Sequence, residues 1–317
     1  MRYRTFGRLG WQVSEIGYGT WGMGGWSGSD DEESHAALDR SVALGCNFFD
    51  TALAYGGGKS EQMVGEMLRR HPGRPLLVAT KVPPKDLVWP GRASTPVSAT
   101  YPASHIRAST EISLRNLGVE RIDLQQLHVW SDAWADDDGW KREAERLKAD
   151  GLIGGFGISI NRWQPQSVLR AIETGLIDAV QVVYNIFDQA PEDALFPACR
   201  ARGVAVIARV PFDEGSLAGA LGPGSTWPEG DWRNSYFGAE NLRATLERVA
   251  ALEQDLPDGA SLPDEALRFI LANEDVSTII PGMRRRRHVE SNLAISAAPT
   301  MTSEMVRMLR KHRWDRG

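Results

Sequence analysis

Apolar positions along the chain follow two alternating rhythms. Short runs rich in apolar and β-branched residues, at 15–18, 46–49, 76–80, 122–127, 153–158, 178–183, 204–208 and 276–280, read as strands. Between them, apolar residues return every third or fourth position, the spacing of a helix that buries one face. The first such stretch, 31–44, has Ser29 or Asp30 as its cap, Ala36, Leu38, Val42 and Leu44 on its apolar face, and Gly45 as its stop. Further helices are predicted near 60–70, 104–117, 137–149, 165–174, 192–202, 239–254 and 263–273, with a last pair at the C-terminal end. Residues 3–14 differ, alternating in short runs around Gly7 and Gly10, and predict a β-hairpin ahead of the main fold. Strand and helix in strict alternation imply parallel strands joined by crossover helices. Eight such strands imply an α/β fold closed as a (β/α)8 barrel, the TIM-barrel class, with long loops at its C-terminal face. A barrel of this kind needs roughly 250 residues. The 317 present accommodate it with insertions, and no linker divides them, so 1–317 is expected to form a single domain.

Composition narrows the partners. The net charge is −5 and the pI about 5.8, which argues against a general affinity for nucleic acid or anionic membrane and leaves small molecules as the expected partners. No apolar run has the length of a membrane span, and Met1 to Arg8 contains no apolar signal segment, so a cytoplasmic protein is expected. Cys46 and Cys199 have neither CxxC nor metal-type spacing and read as buried free thiols; no metal site is expected. Two connections, 82–103 and 212–238, are long for a compact domain and carry Trp89, Tyr101, Trp227, Trp232, Tyr236 and Phe237. With Trp21, Trp26 and Trp130 these aromatics are expected to wall and cover a substrate pocket, the alternative being that they cover the outer helices.

The chemistry-bearing residues stand where the strands end. The strand 46–49 runs into Asp50 and then Tyr55, 76–80 into Lys81, and 122–127 into His128. Parallel neighbours would bring all four to one rim, the C-terminal end where barrels of this class carry their chemistry. A lysine beside a phenol favours the phenolate and lowers the phenol's pKa, and a carboxylate keeps that lysine charged and placed. Taken singly, each has a plainer role: Asp50 as the cap of the next turn, Lys81 as a solvated strand end, His128 as a structural histidine. A literal G-x-G-x-x-G at Gly17, Gly19 and Gly22 raises a dinucleotide-binding alternative, but the loop continues through Gly24, Gly25 and Gly28 and Asp50 lies too far on. These glycines are read instead as letting the loop pass close under a ligand.

Phe49-Asp50-Thr51-Ala52 to Tyr55-Gly56, Thr80-Lys81 and Leu127-His128 together resemble the catalytic tetrad of the aldo-keto reductase family, in the family's order, and the resemblance covers nearly the whole chain. It implies NADPH-dependent reduction of an aldehyde or ketone. Tyr55 would protonate the forming alkoxide, His128 orient the carbonyl oxygen, Lys81 tune Tyr55, and Asp50 hold Lys81. It also implies a cofactor site. Gly19, Thr20, Trp21 and Asp50 would form its first turn, and Ser159, Asn161, Gln181 and Tyr184 would serve the nicotinamide, with Ile160 between Ser159 and Asn161 where the family has an adjacent Ser-Asn pair. Arg209 stands where most relatives carry an aromatic ring that stacks on the nicotinamide, followed by Val210, Pro211, Phe212, Gly215 and Leu217. Gly282, Met283, Arg284, His288 and Asn292 fall on the family's 2′-phosphate segment. The run Arg284 to Arg287 opens a helix, where four cations oppose the macrodipole and call for an anion. Two other functions stay open: a cofactor-binding regulatory module, as in the potassium-channel β subunits, which resemble such reductases, and a sugar-binding or sugar-isomerising barrel.

Overall fold

The computed structural model describes residues 1–316. A hairpin of β1 (Tyr3–Phe6) and β2 (Trp11–Ser14) precedes eight parallel strands. These are β3 (Tyr18–Gly19), β4 (Phe48–Asp50), β5 (Leu77–Val82), β6 (Ile122–Leu127), β7 (Ile153–Ser159), β8 (Ala179–Val183), β9 (Ala205–Arg209) and β10 (Val276–Ile279), each paired with its successor in the chain. The barrel closes where the predicted strand 15–18 meets β10. Bridges join Ile16 to Ile279 and Gly19 to Gly282, the Gly17 amide donates to the Ile279 carbonyl at 2.7 Å, and that of Gly19 donates to Pro281 at 2.9 Å. A Cβ on Gly19 would stand 2.6 Å from the Ile280 carbonyl oxygen and one on Gly17 2.9 Å from that of Phe48. These two glycines therefore admit a close strand approach that seals the barrel.

Helices cover the outside: α1 (Asp31–Ala43), α2 (Lys59–Arg70), α3 (Val97–Thr100), α4 (Ala103–Leu117), α5 (Asp138–Ala149), α6 (Leu169–Glu173), α7 (Leu195–Arg202), α8 (Arg233–Tyr236), α9 (Ala239–Asp255), α10 (Leu262–Leu271), α11 (Arg286–Ala294) and α12 (Ser303–Arg310). Asp30 caps α1 by accepting the Glu33 amide at 3.0 Å. The predicted helix 165–174 is shorter, because Pro165–Val168 winds as a tight 3-10 turn before α6. Leu38, Val64, Ile106, Leu147, Phe156, Ile172 and Phe196 fill the layer between helices and barrel. Both cysteines lie buried and unpaired, and burial pushes the Cys46 thiol up to about 11 and that of Cys199 to about 12.

Inside the barrel, the period-two alternation of strands sorts side chains into two levels. At the lower level Phe48, Ala79, Leu124, Ala179 and Ala205 pack against Phe6 and Val13 of the hairpin, which plugs that end. Two residues further along the same strands stand Asp50, Lys81, Gln126, Gln181 and, after Ile207, Arg209. An apolar floor thus carries a polar mouth. No helix among the described residues is long and apolar enough to cross a membrane, and no cluster of three or more His, Cys, Asp or Glu side chains there is arranged to hold a metal ion.

Candidate active site

Lys81 is fully buried at the centre of the mouth. Its Nζ donates to Asp50 Oδ2 at 2.5 Å, to the Thr51 carbonyl at 2.8 Å and to the Tyr55 hydroxyl at 3.3 Å. The other Asp50 oxygen, Oδ1, accepts from Gln181 Nε2 at 2.6 Å and from Gln126 Nε2 at 3.4 Å. The Asp50 backbone is fixed too: its carbonyl accepts from the amide and hydroxyl of Thr20 at 3.0 and 2.9 Å, and Ser60 links Thr20 to Thr51. Above Lys81, the Tyr55 and His128 rings meet edge to face with centroids 5.6 Å apart, and Trp89 stands edge-on to His128 at 4.7 Å. The four residues picked out at the strand ends therefore do converge.

Burial and the neighbouring charges together set the protonation states. It pushes the Lys81 ammonium toward neutrality, but Asp50 and the Tyr55 oxygen outweigh it, and the pKa of Lys81 is raised. The Tyr55 phenol is raised as well, since burial exceeds the opposing pull of Lys81 and Asp50 adds to it. This corrects the expectation of a lowered phenol: with Asp50 on the lysine, Tyr55 holds its proton across the neutral range. His128 is held well below its ordinary value by burial, with Lys81 and Arg209 adding to the effect, so its imidazole is neutral. Its Nδ1 is buried without a partner among the described residues. A protonated phenol beside a neutral imidazole, both backed by one ammonium, can bind a carbonyl oxygen and deliver a proton to it.

The connection 212–238 crosses the mouth. Its Trp232 lies edge-on to Trp21, which follows β3, with centroids 6.1 Å apart, and 5.3 Å from the guanidinium of Arg162, which follows β7. These are opposite strands of an eight-stranded barrel. Glu214 pairs with Arg162, and the buried Arg316 binds Asp213 at 2.7 Å, the Tyr236 hydroxyl at 2.9 Å and Asp188. Trp21 and Trp89 remain 40 % and 44 % exposed at the rim. Trp130 is no wall: fully buried, it packs edge-on against Trp134 and Trp140 below the rim.

The cofactor residues implied by resemblance separate into groups. Ser159 ends β7 beside Gln181, is buried, and makes no side-chain hydrogen bond among the described residues. Asn161 is fully engaged with backbone groups of Gly91 and Trp130, which leaves its amide none to offer and corrects the assignment to the nicotinamide. Tyr184 is also corrected. With Gln181 facing inward, strand alternation turns Tyr184 outward, where its ring packs on Phe196 and Phe269 and its hydroxyl donates to Glu192. The Thr20 hydroxyl serves Asp50, as above. Arg209 faces the mouth and donates to the Ile160 carbonyl at 2.9 Å rather than pairing with Asp213 or Glu214; burial and Arg162 lower it to about 10, so it stays charged. In the tight turn that follows, Pro211 and Leu217 are buried, Val210, Phe212 and Gly215 are partly exposed, and the amides of Gly215 and Leu217 both donate to the Phe212 carbonyl.

At the start of α11, the Met283 carbonyl accepts from Tyr18 at 2.6 Å, and half-buried Arg284 donates to the carbonyls of Gly22 and Ser27 at 3.2 and 3.1 Å. Gly282 is exposed and Asn292 buried. The anion that the cationic run calls for is already present: Glu33 of α1 accepts the Arg286 amide at 2.8 Å and pairs with its guanidinium. Arg285 and Arg287 are exposed and form no ion pair among the described residues, and the pKa of His288 beside them is lowered by burial and by the arginines. The sequence reading missed Gln126, Glu33, Arg162, Asp188 and Arg316. Only Gln126 had a local signal, a polar residue at an inward position two before His128.

Residues 15–313 match the family model described as "Aldo/keto reductase family". The chain is 29 % identical to the "Uncharacterized oxidoreductase YqkF" of Bacillus subtilis over 98 % of its own length and 96 % of that protein's. It is 28 % identical to the "NADH-specific methylglyoxal reductase" of Escherichia coli, covering 94 % and 96 %. Among solved structures, the holo form of the aldo-keto reductase AKR11C1 from Bacillus halodurans superposes with a TM-score of 0.78 at 28 % identity, covering 100 % of this chain and 97 % of that one.

Proposed function

Because the chain belongs to the aldo/keto reductase family, we propose that it reduces an aldehyde or ketone to the alcohol with NADPH. One observation carries the reading: a protonated Tyr55 phenol, held 3.3 Å from the Lys81 ammonium, faces a neutral His128. The bound cofactor supplies a hydride to the carbonyl carbon. The protein supplies everything at the oxygen. His128 hydrogen-bonds the carbonyl oxygen and orients it, and Tyr55 transfers its hydroxyl proton as negative charge develops there. An alcohol is a much weaker acid than a phenol, so even a raised Tyr55 gives up its proton readily at that moment. Lys81 stabilises the phenolate left behind, and Asp50, itself held by Gln181 and Gln126, keeps Lys81 charged and in place.

The mouth fits a nicotinamide cofactor. The buried Ser159 has a hydroxyl to offer a carboxamide, Gln181 lies beside it, and the Arg209 guanidinium presents a planar face with its Nε unpaired among the described residues. At α11, the cations of Arg284, Arg285 and Arg287 suit a 2′-phosphate, with the imidazole of His288 beside them. Glu33 among them favours a second reading, NADH, because a carboxylate repels that phosphate. Titrating the protein with NADPH and NADH under tryptophan fluorescence, then measuring cofactor oxidation across a panel of aldehydes and ketones, decides the matter. Tighter NADPH binding is expected, weakened by Arg284→Ala while NADH is almost unaffected. Equal affinities in the wild type, or equal losses in the variant, would show that the cluster does not read the phosphate. Tight binding without turnover would favour the regulatory module.

A further inference from the structure

Asn161 lies just past the end of β7, and its side chain joins two loops that otherwise meet only through side-chain packing and a few tethers. Its Oδ1 accepts from the amides of Gly91 and Trp130 at 3.3 and 3.4 Å. Its Nδ2 lies 3.0 and 2.8 Å from the carbonyls of the same two residues and 3.0 Å from Gln164 Oε1. One planar amide thus pairs with both backbone groups of Gly91 on the connection 82–103 and both of Trp130 on the segment that follows β6. Gly91 is two residues after Trp89, and Trp130 two residues after His128. Trp89 and His128 are the pair that meets edge-on at 4.7 Å.

We propose that Asn161 is a positioning residue for the carbonyl substrate: by stitching 82–103 to the rim it holds Trp89 against His128 and so shapes the pocket beside the reacting oxygen. The inference rests on the reading of His128 as the group that binds that oxygen. Two further features of the loops agree with it. A Cβ on Gly91 would stand 3.2 Å from the backbone N and C of Trp130 and 3.0 Å from the Trp134 ring, so the two loops touch backbone to backbone at the stitch. Elsewhere 82–103 is tied by Trp134 donating to the Thr95 carbonyl at 2.8 Å and by the Val129 amide donating to the Tyr101 hydroxyl at 3.0 Å. Those ties hold the far side of the connection. Loss of Asn161 therefore frees the stretch around Trp89 without releasing the whole loop. The side chain has to be an amide, since only an amide of this length offers both donors and an acceptor; a carboxylate would face the Gly91 and Trp130 carbonyls with no proton to give. The same engagement explains why Ser159, and not Asn161, is the free polar group at the end of β7.

The test measures the KM and kcat of Asn161→Ala and Asn161→Asp for a carbonyl substrate, the Kd for NADPH, and hydrogen exchange at the Gly91 and Trp130 amides. Unpaired backbone groups and a loosened Trp89 should raise KM about tenfold in both variants, with kcat changed less. NADPH affinity stays within about twofold, and both amides exchange faster. Trp89→Ala should raise KM similarly, and combining it with Asn161→Ala should add little, because both act through one contact. Gly91→Ala pushes the loop off from the opposite side and should reproduce the KM rise if Asn161→Ala fails to fold. A fall in NADPH affinity with KM unchanged would make Asn161 a cofactor ligand and overturn the proposal. A loss of thermal stability with KM and Kd both unchanged would make it merely structural and overturn it equally. If the wild type oxidises NADPH with no carbonyl, it is the proposed function that fails. Exchange at Gly91 and Trp130 still reports the stitch in that case, and exchange unaltered in Asn161→Ala would remove it.

Discussion

Replacing Lys81 with methionine keeps the length and apolar bulk of the side chain and removes only its charge and its donors. The Asp50 carboxylate, 3 % exposed, is then left in the barrel without the ammonium that stood 2.5 Å away. Breaking a buried ion pair by deleting one partner typically costs ~3–5 kcal/mol, because the remaining charge stays desolvated. Asp50 keeps its 2.6 Å hydrogen bond from Gln181 and the weaker one from Gln126, which places the expected loss near the lower end, about 3 kcal/mol. Neutralising the stranded group as well, in Asp50→Asn/Lys81→Met, should recover much of that stability but none of the activity. The pH dependence has a definite sign. Because the folded pKa of Lys81 is raised, its contribution is complete below the unfolded value of about 10.5 and is lost only as pH climbs through the folded one. The gap between wild type and variant should therefore stay constant from pH 6 to about 9 as far as Lys81 is concerned. Urea denaturation followed by the fluorescence of the 11 tryptophans measures it. A Lys81→Met protein within about 1 kcal/mol of wild type would refute the pairing as a determinant of stability.

His128→Gln should raise KM for aldehydes and lower kcat together, since in the proposed reaction the imidazole touches the oxygen before and during reduction. The same variant should flatten the acid limb of stability: the folded His128 is held well below 6.5, so its contribution is present above 6.5 and lost as pH falls toward the folded pKa, by up to about 1.4 kcal/mol per pH unit. Unchanged kinetics with a lower thermal stability would make the histidine structural. Arg316→Ala strands Asp188 and Asp213, 6 % and 0 % exposed, and should cost about 3 kcal/mol and speed limited proteolysis within 212–238; an unchanged cleavage rate would mean that this arginine does not hold the connection.

The barrel was legible because strands and helices write different periods into the chain, and eight repeats of one pattern leave few topologies. The tetrad was legible for a related reason: Asp50, Lys81 and His128 each stand at the end of an apolar run, so knowing the fold places them. What stayed hidden depended on which way a side chain turns past a strand end, or on partners far apart in the chain. Asn161 and Tyr184 are polar residues at strand ends like Ser159 and Gln181, but Tyr184 faces the helices and Asn161 binds backbone. Period two stops where the strand stops, and nothing local tells the difference. Glu33 and Arg286, or Arg316 with Asp188 and Asp213, are 253, 128 and 103 residues apart, and only the folded barrel brings them together. The tuning of Tyr55 failed for another reason, because a lysine's effect on a phenol depends on how deeply both are buried and on what the lysine already holds.

The most direct test of proton delivery by Tyr55 is NADPH oxidation with a good aldehyde substrate by wild type and Tyr55→Phe, with the NADPH dissociation constant measured on both. General acid catalysis contributes ~10²–10⁴-fold, and the phenylalanine variant should lose at least that much in kcat while binding NADPH within about twofold of wild type. Activity within a few-fold of wild type in Tyr55→Phe would contradict it.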